Sequence, residues 1–118
     1  MGILLNELGI PTYLEKIKKR VINDDFQIIP RSVNKNFMRK YRLTLRQIKE
    51  IIATLKSSNF KRVVQDNDYS LYGSEPLVVF IKKVQLVDIY GNDKDVLMAI
   101  KIKMLDDQLP VISFDESI

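Results

Sequence analysis

Leu14, Ile17, Val21 and Ile22 recur at i, i+3, i+7 and i+8, the spacing of one helical face. Thr12 and Glu15 in Pro11-Thr12-Tyr13-Leu14-Glu15 form T-x-x-E ahead of that stripe, a hydroxyl and a carboxylate able to satisfy each other's orphan amides, so a helix is expected to open at Thr12. Asn23-Asp24-Asp25 should close it, because short polar side chains compete there for the backbone. Phe26-Gln27-Ile28-Ile29-Pro30 then reads as a brief strand stopped by its proline. A second stripe, Leu45, Ile48, Ile51, Ile52 and Leu55, follows Thr44-Leu45-Arg46-Gln47, another capping box, with Leu43 placed to staple onto Ile48. Between the two helices, residues 32–40 suit a short helix or turn anchored by Phe37 and Tyr41, and Ser57-Ser58-Asn59 should end the helical half.

From Phe60 the period changes from 3.6 to 2. Leu77-Val78-Val79-Phe80-Ile81 leads through Val84, Leu86 and Ile89 to a turn at Tyr90-Gly91-Asn92-Asp93. Val96, Met98, Ile100, Ile102 and Met104 alternate with Leu97, Ala99, Lys101, Lys103 and Leu105, the clearest strand in the chain. Asp106-Asp107 marks a further turn before Leu109-Pro110-Val111-Ile112-Ser113-Phe114. Helices first and a meander second predict an α+β fold, with N-terminal helices packed on a twisted antiparallel β-sheet. At 118 residues one domain is expected, helical over about 12–57 and sheet over about 60–115. There is no internal repeat, phosphate-binding glycine loop or heptad pattern.

Composition narrows the chemistry more than it narrows the fold. The chain has neither cysteine nor histidine, which removes disulfides, thiol nucleophiles, thiolate metal sites and the commonest general base. No cofactor or metal is expected. No apolar run approaches a membrane span, and MGILLNELGI lacks a basic start, a full apolar core and a cleavage site, so no membrane partner and a cytoplasmic location are expected. The net charge of +4 conceals a division: residues 1–62 hold 14 Lys and Arg against 5 Asp and Glu, and residues 63–118 hold 5 against 10. Arg31, Lys35, Arg39, Lys40, Arg42 and Arg46 crowd into sixteen residues of the basic half. They suit docking on an RNA or ribosomal backbone, and equally the solvated side of a small fold. A DNA-binding helix-turn-helix built from this same segment, with residues 44–55 as its recognition helix, is a third reading, weakened by the few cations on that helix.

Ile17-Lys18-Lys19, Arg31-Ser32, Tyr41-x-Leu43-Thr44, Ile51-Ile52-x-x-Leu55, Ser58-Asn59-Phe60, Ile100-Lys101-Ile102 and Val111-Ile112-Ser113-Phe114 occur in that order. Together they resemble MqsR-type toxins, small bacterial mRNA interferases of the RelE-like superfamily, over residues 12–116. The resemblance implies helices against an antiparallel sheet, metal-independent endoribonuclease activity on mRNA, and a cognate antitoxin that masks the toxin. It also implies chemistry on the sheet. A basic residue follows the family's Asn-Phe pair, matched here by Arg62, with Lys61 beside it. The family's central strand alternates Tyr and Lys, where this chain has Leu97, Ala99, Lys101 and Lys103. After the final Ser-Phe the family has Lys or His, and this chain has Asp115.

Metal-free RNA cleavage needs a base for the 2′-hydroxyl, an acid for the leaving oxygen and stabilisation of charge on phosphate. Arg62, Lys101 and Lys103 are the candidates for charge stabilisation. A base would have to be a desolvated lysine, Glu75, or a perturbed Tyr69 or Tyr72. Tyr69, Tyr72 and Tyr90 suit stacking on unpaired bases, and equally strand or loop packing. Leu97, Ala99 and Asp115 also admit a member of the same fold that has lost catalysis and binds nucleic acid or a regulatory protein.

Overall fold

The computed structural model describes residues 9–28, 32–64, 77–103 and 110–116. They form three helices, α1 (Gly9–Ile22), α2 (Ser32–Lys40) and α3 (Leu45–Ala53), and five strands, β1 (Gln27–Ile28), β2 (Phe60–Val64), β3 (Leu77–Val87), β4 (Asp93–Lys103) and β5 (Val111–Glu116). The class is α+β, with the helices leading and four of the five strands following, as the change of period predicts. Two expected positions, Met104 and the turn at Asp106-Asp107, lie outside the described residues.

The first helix does not open at Thr12. It begins by Gly9, because the apolar period extends upstream through Ile10 and Tyr13, both buried with Leu14, Ile17 and Val21. Pro11 falls in the first turn, where its missing N–H has no intrahelical partner to lose. The helix stops after Ile22 as Asp24 takes φ 60°, the Asn23 side-chain amide donates to the Lys19 carbonyl, and Arg20 pairs with Asp25 at 2.7 Å. Ile22, expected on the buried stripe, is 69% exposed.

The α2 C-terminus carries a Schellman closure with arginine in place of the usual glycine. Arg42 sits at φ 48°, the Leu43 amide reaches back to the Met38 carbonyl and the Arg42 amide to that of Arg39. Thr44 then caps α3 as expected: its hydroxyl accepts from the Gln47 amide at 3.2 Å, and the Gln47 side chain accepts from the Thr44 amide at 2.9 Å. Thr44→Ala removes half of this reciprocal pair, and an urea titration should show a loss of about 1 kcal/mol. Leu45, assigned from the sequence to the buried stripe, is 57% exposed, whereas Ile48, Ile51, Ile52 and Leu55 are buried. As the first residue of α3, Leu45 stands where the helix enters rather than where it packs.

The sheet order is β1-β5-β4-β3-β2. The last four strands form the expected antiparallel meander, but β1 joins β5 in parallel, Gln27 opposite Val111 and Ile28 opposite Ile112, so the sheet is mixed. A brief strand can join in parallel here because most of the chain separates it from β5, more than the crossover such pairing requires. One face, built from Val78, Phe80, Val96, Met98, Ile100, Ile102, Ile112 and Phe114, shares a core with Ile17, Ile48, Ile52, Phe37 and Tyr41 of the helical layer. Beyond β1, the outer edge of β5 is met by buried Asn34 of α2, whose Oδ1 accepts from the Phe114 amide at 3.0 Å. The β3–β4 turn is held by Asp88, whose carboxylate accepts from the Asn92 and Tyr90 amides; those bonds, that of Asn92 foremost, keep its pKa below the usual value. Gly91 supplies the φ of +82° that the turn needs. No helix among the described residues is long and apolar enough to cross a membrane.

Candidate nucleic-acid interface

Strand pleating assigns every second residue to the sheet face away from the helices. Register aligns Arg62 with Val79, Val79 with Lys101, and Lys101 with Ser113, one row across β2, β3, β4 and β5. Lys103 lies two residues from Lys101 on the same face, so the three cations singled out from the sequence share one surface. Arg62 and Lys101 stand two strands apart, about 10 Å between backbones. A register shift between Phe60 and Arg62 makes this possible: Phe60 packs edge-on to core Phe80, while Arg62, two residues on, falls opposite Val79 instead of beside a core residue. Asn59 anchors the shift, accepting from the Lys56 amide and donating to the Ile81 carbonyl. Its place in the Ser58-Asn59-Phe60 motif is thus architectural.

The three cations differ in environment. Arg62 and its neighbour Lys61 are exposed. Lys101 is half-buried, with its Nζ 3.7 Å from the Asp115 carboxylate. Lys103 is 4% exposed and engaged within the fold. Between them, Val79, Ala99 and Ser113 are buried, so this face is not the open solvent side that simple alternation suggests. The substitution that reads as a charge reversal, Asp115, is the partner of Lys101: it lies opposite Ala99, one diagonal step from Lys101, within reach of a long side chain. The sequence held no signal for this pairing, because it depends on the β4–β5 register. Lys83, exposed and opposite Leu97, is a further cation of this face that sequence reasoning did not single out. Glu75, Tyr69 and Tyr72 lie outside the described residues.

The basic run is dispersed by the fold. Arg31 lies outside the described residues. Lys35 and Arg39 are exposed on α2 with no ion-pair partner among the described residues. Arg42 donates to the Ile89 carbonyl at 3.0 Å, while the Ile89 amide donates to the Lys40 carbonyl, tying the end of α2 to the β3–β4 turn. Arg46 pairs with Glu50 along exposed α3 at 3.5 Å. Lys40 reaches Glu116 at 2.8 Å. Arg42 and Lys40 therefore serve in part as tethers. Tyr90, a stacking candidate, is exposed at the β3–β4 turn.

Glu116 accepts from both Lys40 and the Tyr41 hydroxyl, the latter at 2.7 Å. These bonds, Lys40 first, hold its pKa below the ordinary glutamate value. The bond to Glu116 raises Lys40 above the ordinary lysine value. Desolvation, with the bond to Glu116 second, raises Tyr41. The depressed Glu116 contributes stability that is present above its unfolded pKa and lost as pH falls through the folded one; raised Lys40 and Tyr41 contribute stability that is lost as pH rises through theirs. Thermal unfolding of Glu116→Gln should therefore differ from the parent near neutral pH, and the two melting temperatures should converge as pH falls below about 4.

Comparison with family models, with curated proteins and with solved structures returned no match.

Proposed function

We propose that the protein is a toxin-type mRNA interferase, a metal-independent endoribonuclease acting on mRNA in the cytoplasm through the sheet face that carries Arg62 and Lys101 and restrained by a cognate antitoxin. The observation that carries this reading is the Lys101–Asp115 pair at 3.7 Å, which puts a carboxylate beside an ammonium group on the basic face. In the proposed reaction Asp115 takes the proton of the 2′-hydroxyl, and the 2′-oxygen forms a bond to the adjacent phosphorus. The P–O5′ bond breaks, and Lys101 protonates the departing 5′-oxygen. The products are a 2′,3′-cyclic phosphate and a 5′-hydroxyl. Arg62, across the same row, neutralises phosphate charge, with Lys61 beside it and Lys103 adding positive potential from below the surface. Lys35 and Arg39 extend the electrostatic footprint along α2.

A second reading is favoured by the same ion pair: Asp115 neutralises Lys101, and a face so weakened in charge suits a catalytically inactive relative that binds nucleic acid or a regulatory protein. Single-stranded RNA incubated with the protein in chelator separates the two. Products bearing cyclic phosphate, lost in Lys101→Ala and Asp115→Asn with the fold intact, uphold the nuclease; binding without product at high protein concentration upholds the second reading.

A further inference from the structure

An open groove of about 680 Å³ runs between the C-terminal half of α1 and the length of α3, on the helical layer and so on the far side of the molecule from Arg62 and Lys101. Val21, Ile22, Leu45 and Ala53 form its apolar lining, and Lys18, Asp24, Arg46, Lys49 and Glu50 its polar rim. Ile22 and Leu45, the two residues that helical periodicity assigns to the core, are the two large aliphatic side chains left exposed here. The rim is not electrostatically neutral toward a visitor. Both carboxylates are already engaged, Asp24 by Lys49 at 2.7 Å and Glu50 by Arg46 at 3.5 Å. Lys18 has no such partner among the described residues and stands one turn from Ile22. Among the described residues an approaching cation meets no uncommitted carboxylate, whereas an approaching carboxylate meets Lys18 and can share Lys49 or Arg46.

We propose that the α1–α3 groove, lined by Ile22 and Leu45 and rimmed by Lys18, Arg46 and Lys49, is a docking site for an amphipathic helix of a protein partner whose apolar stripe is flanked by Asp and Glu. Two aliphatic anchors with Lys18 on the α1 side and Arg46 and Lys49 on the α3 side match the helix-in-groove mode, in which residues at i, i+3 or i+4 and i+7 supply the apolar contact and flanking charges set orientation. Nucleic acid fits less well: among the described residues the lining is aliphatic and offers no aromatic surface for a base to stack on. The same features count against α3 as a reader of the DNA major groove, because its outer face presents Leu45, Ala53 and an internally paired Arg46.

The test uses the full chain and a fluorescently labelled, helix-constrained peptide of about four turns, with leucine at i, i+3, i+7 and glutamate on both flanks. Its control keeps the leucines and replaces every glutamate by lysine. Fluorescence anisotropy should show saturable binding of the glutamate peptide alone, weakened about tenfold or more by Leu45→Ser, by Ile22→Ser and by Lys18→Glu. Leu45 and Ile22 are exposed in the fold, so circular dichroism of these variants should match the parent. Equal binding of both peptides, indifference to all three substitutions, or failure of the glutamate peptide to bind overturns the proposal. So does concentration-dependent self-association abolished by Leu45→Ser, which assigns the groove to a second copy. Arg62→Ala should leave peptide binding unchanged, so loss of the RNA reading and loss of this one are separately visible.

Discussion

Asp115→Asn is expected to lower cleavage of single-stranded RNA by about 10²- to 10⁴-fold, the range for removing one positioned acid or base. Lys101→Ala should cause a loss of similar size, and the double variant should lose little more, since a base and an acid that act on one transition state are not additive. Arg62→Ala should behave differently. In the proposed reaction its exposed guanidinium would meet phosphate before and during the chemical step, so KM should rise together with any fall in kcat, and the dependence of RNA affinity on salt should flatten by about 0.7 in log–log slope. Single-turnover kinetics in chelator, with affinity measured separately at several salt concentrations, resolves these effects. The pair also permits the opposite result. If Asp115→Asn yields no product from parent or variant but tightens RNA binding, the carboxylate is a charge neutraliser and the binding reading replaces the nuclease.

Phe114→Ala is expected to cost about 3–5 kcal/mol, a large part of the roughly 5–15 kcal/mol that holds a domain of this size together. Phe114 is 1% exposed and meets Phe37 edge-on at 5.6 Å between ring centres. Phe37 in turn packs, tilted by 55°, against Tyr41 at 5.0 Å between ring centres, and the Tyr41 hydroxyl is bonded to Glu116. Truncation therefore opens a cavity where α2 docks on β5. Urea unfolding monitored by far-UV circular dichroism checks the value, and a loss below about 1 kcal/mol would mean that the α2–β5 contact collapses around the smaller side chain. Residues 111–114 carry part of the resemblance to the toxin family, yet Ile112 and Phe114 face the core. Val111 and Ser113, opposite Lys103 and Lys101, belong to the outer face, as does Asp115 after them.

Much of this architecture is readable in local pattern. The capping box at Thr44, the anchors Phe37 and Tyr41, and the alternation of β4 all rest on interactions within a few residues. Readings fail where longer-range geometry decides. Thr12 has the residues of a cap, but Ile10, buried upstream of it in register with Tyr13 and Leu14, draws the helix past it. Ile22 and Leu45 satisfy the helical period, yet each stands at a helix end where the neighbouring layer is no longer in contact. The site divides in the same way. Placing Lys101 and Lys103 on one face follows from alternation alone. Bringing Arg62 into their row needs the irregularity at Lys61, and joining Lys101 to Asp115 needs a diagonal across two strands. The parallel pairing of β1 leaves even less trace, since two residues carry no period.

That pairing makes the order of assembly lopsided. The β3–β4 hairpin is local and can zip from its turn, whereas Gln27 meets Val111, and its amide the Pro110 carbonyl, only after β2, β3 and β4 have been made and the chain brought back on itself. A nascent chain emerging from its N-terminus thus carries helices whose sheet partner has not yet been synthesised. Closure of β1 onto β5 has to wait for β5 itself, and amide hydrogens along that seam should be the first to exchange when the folded protein opens.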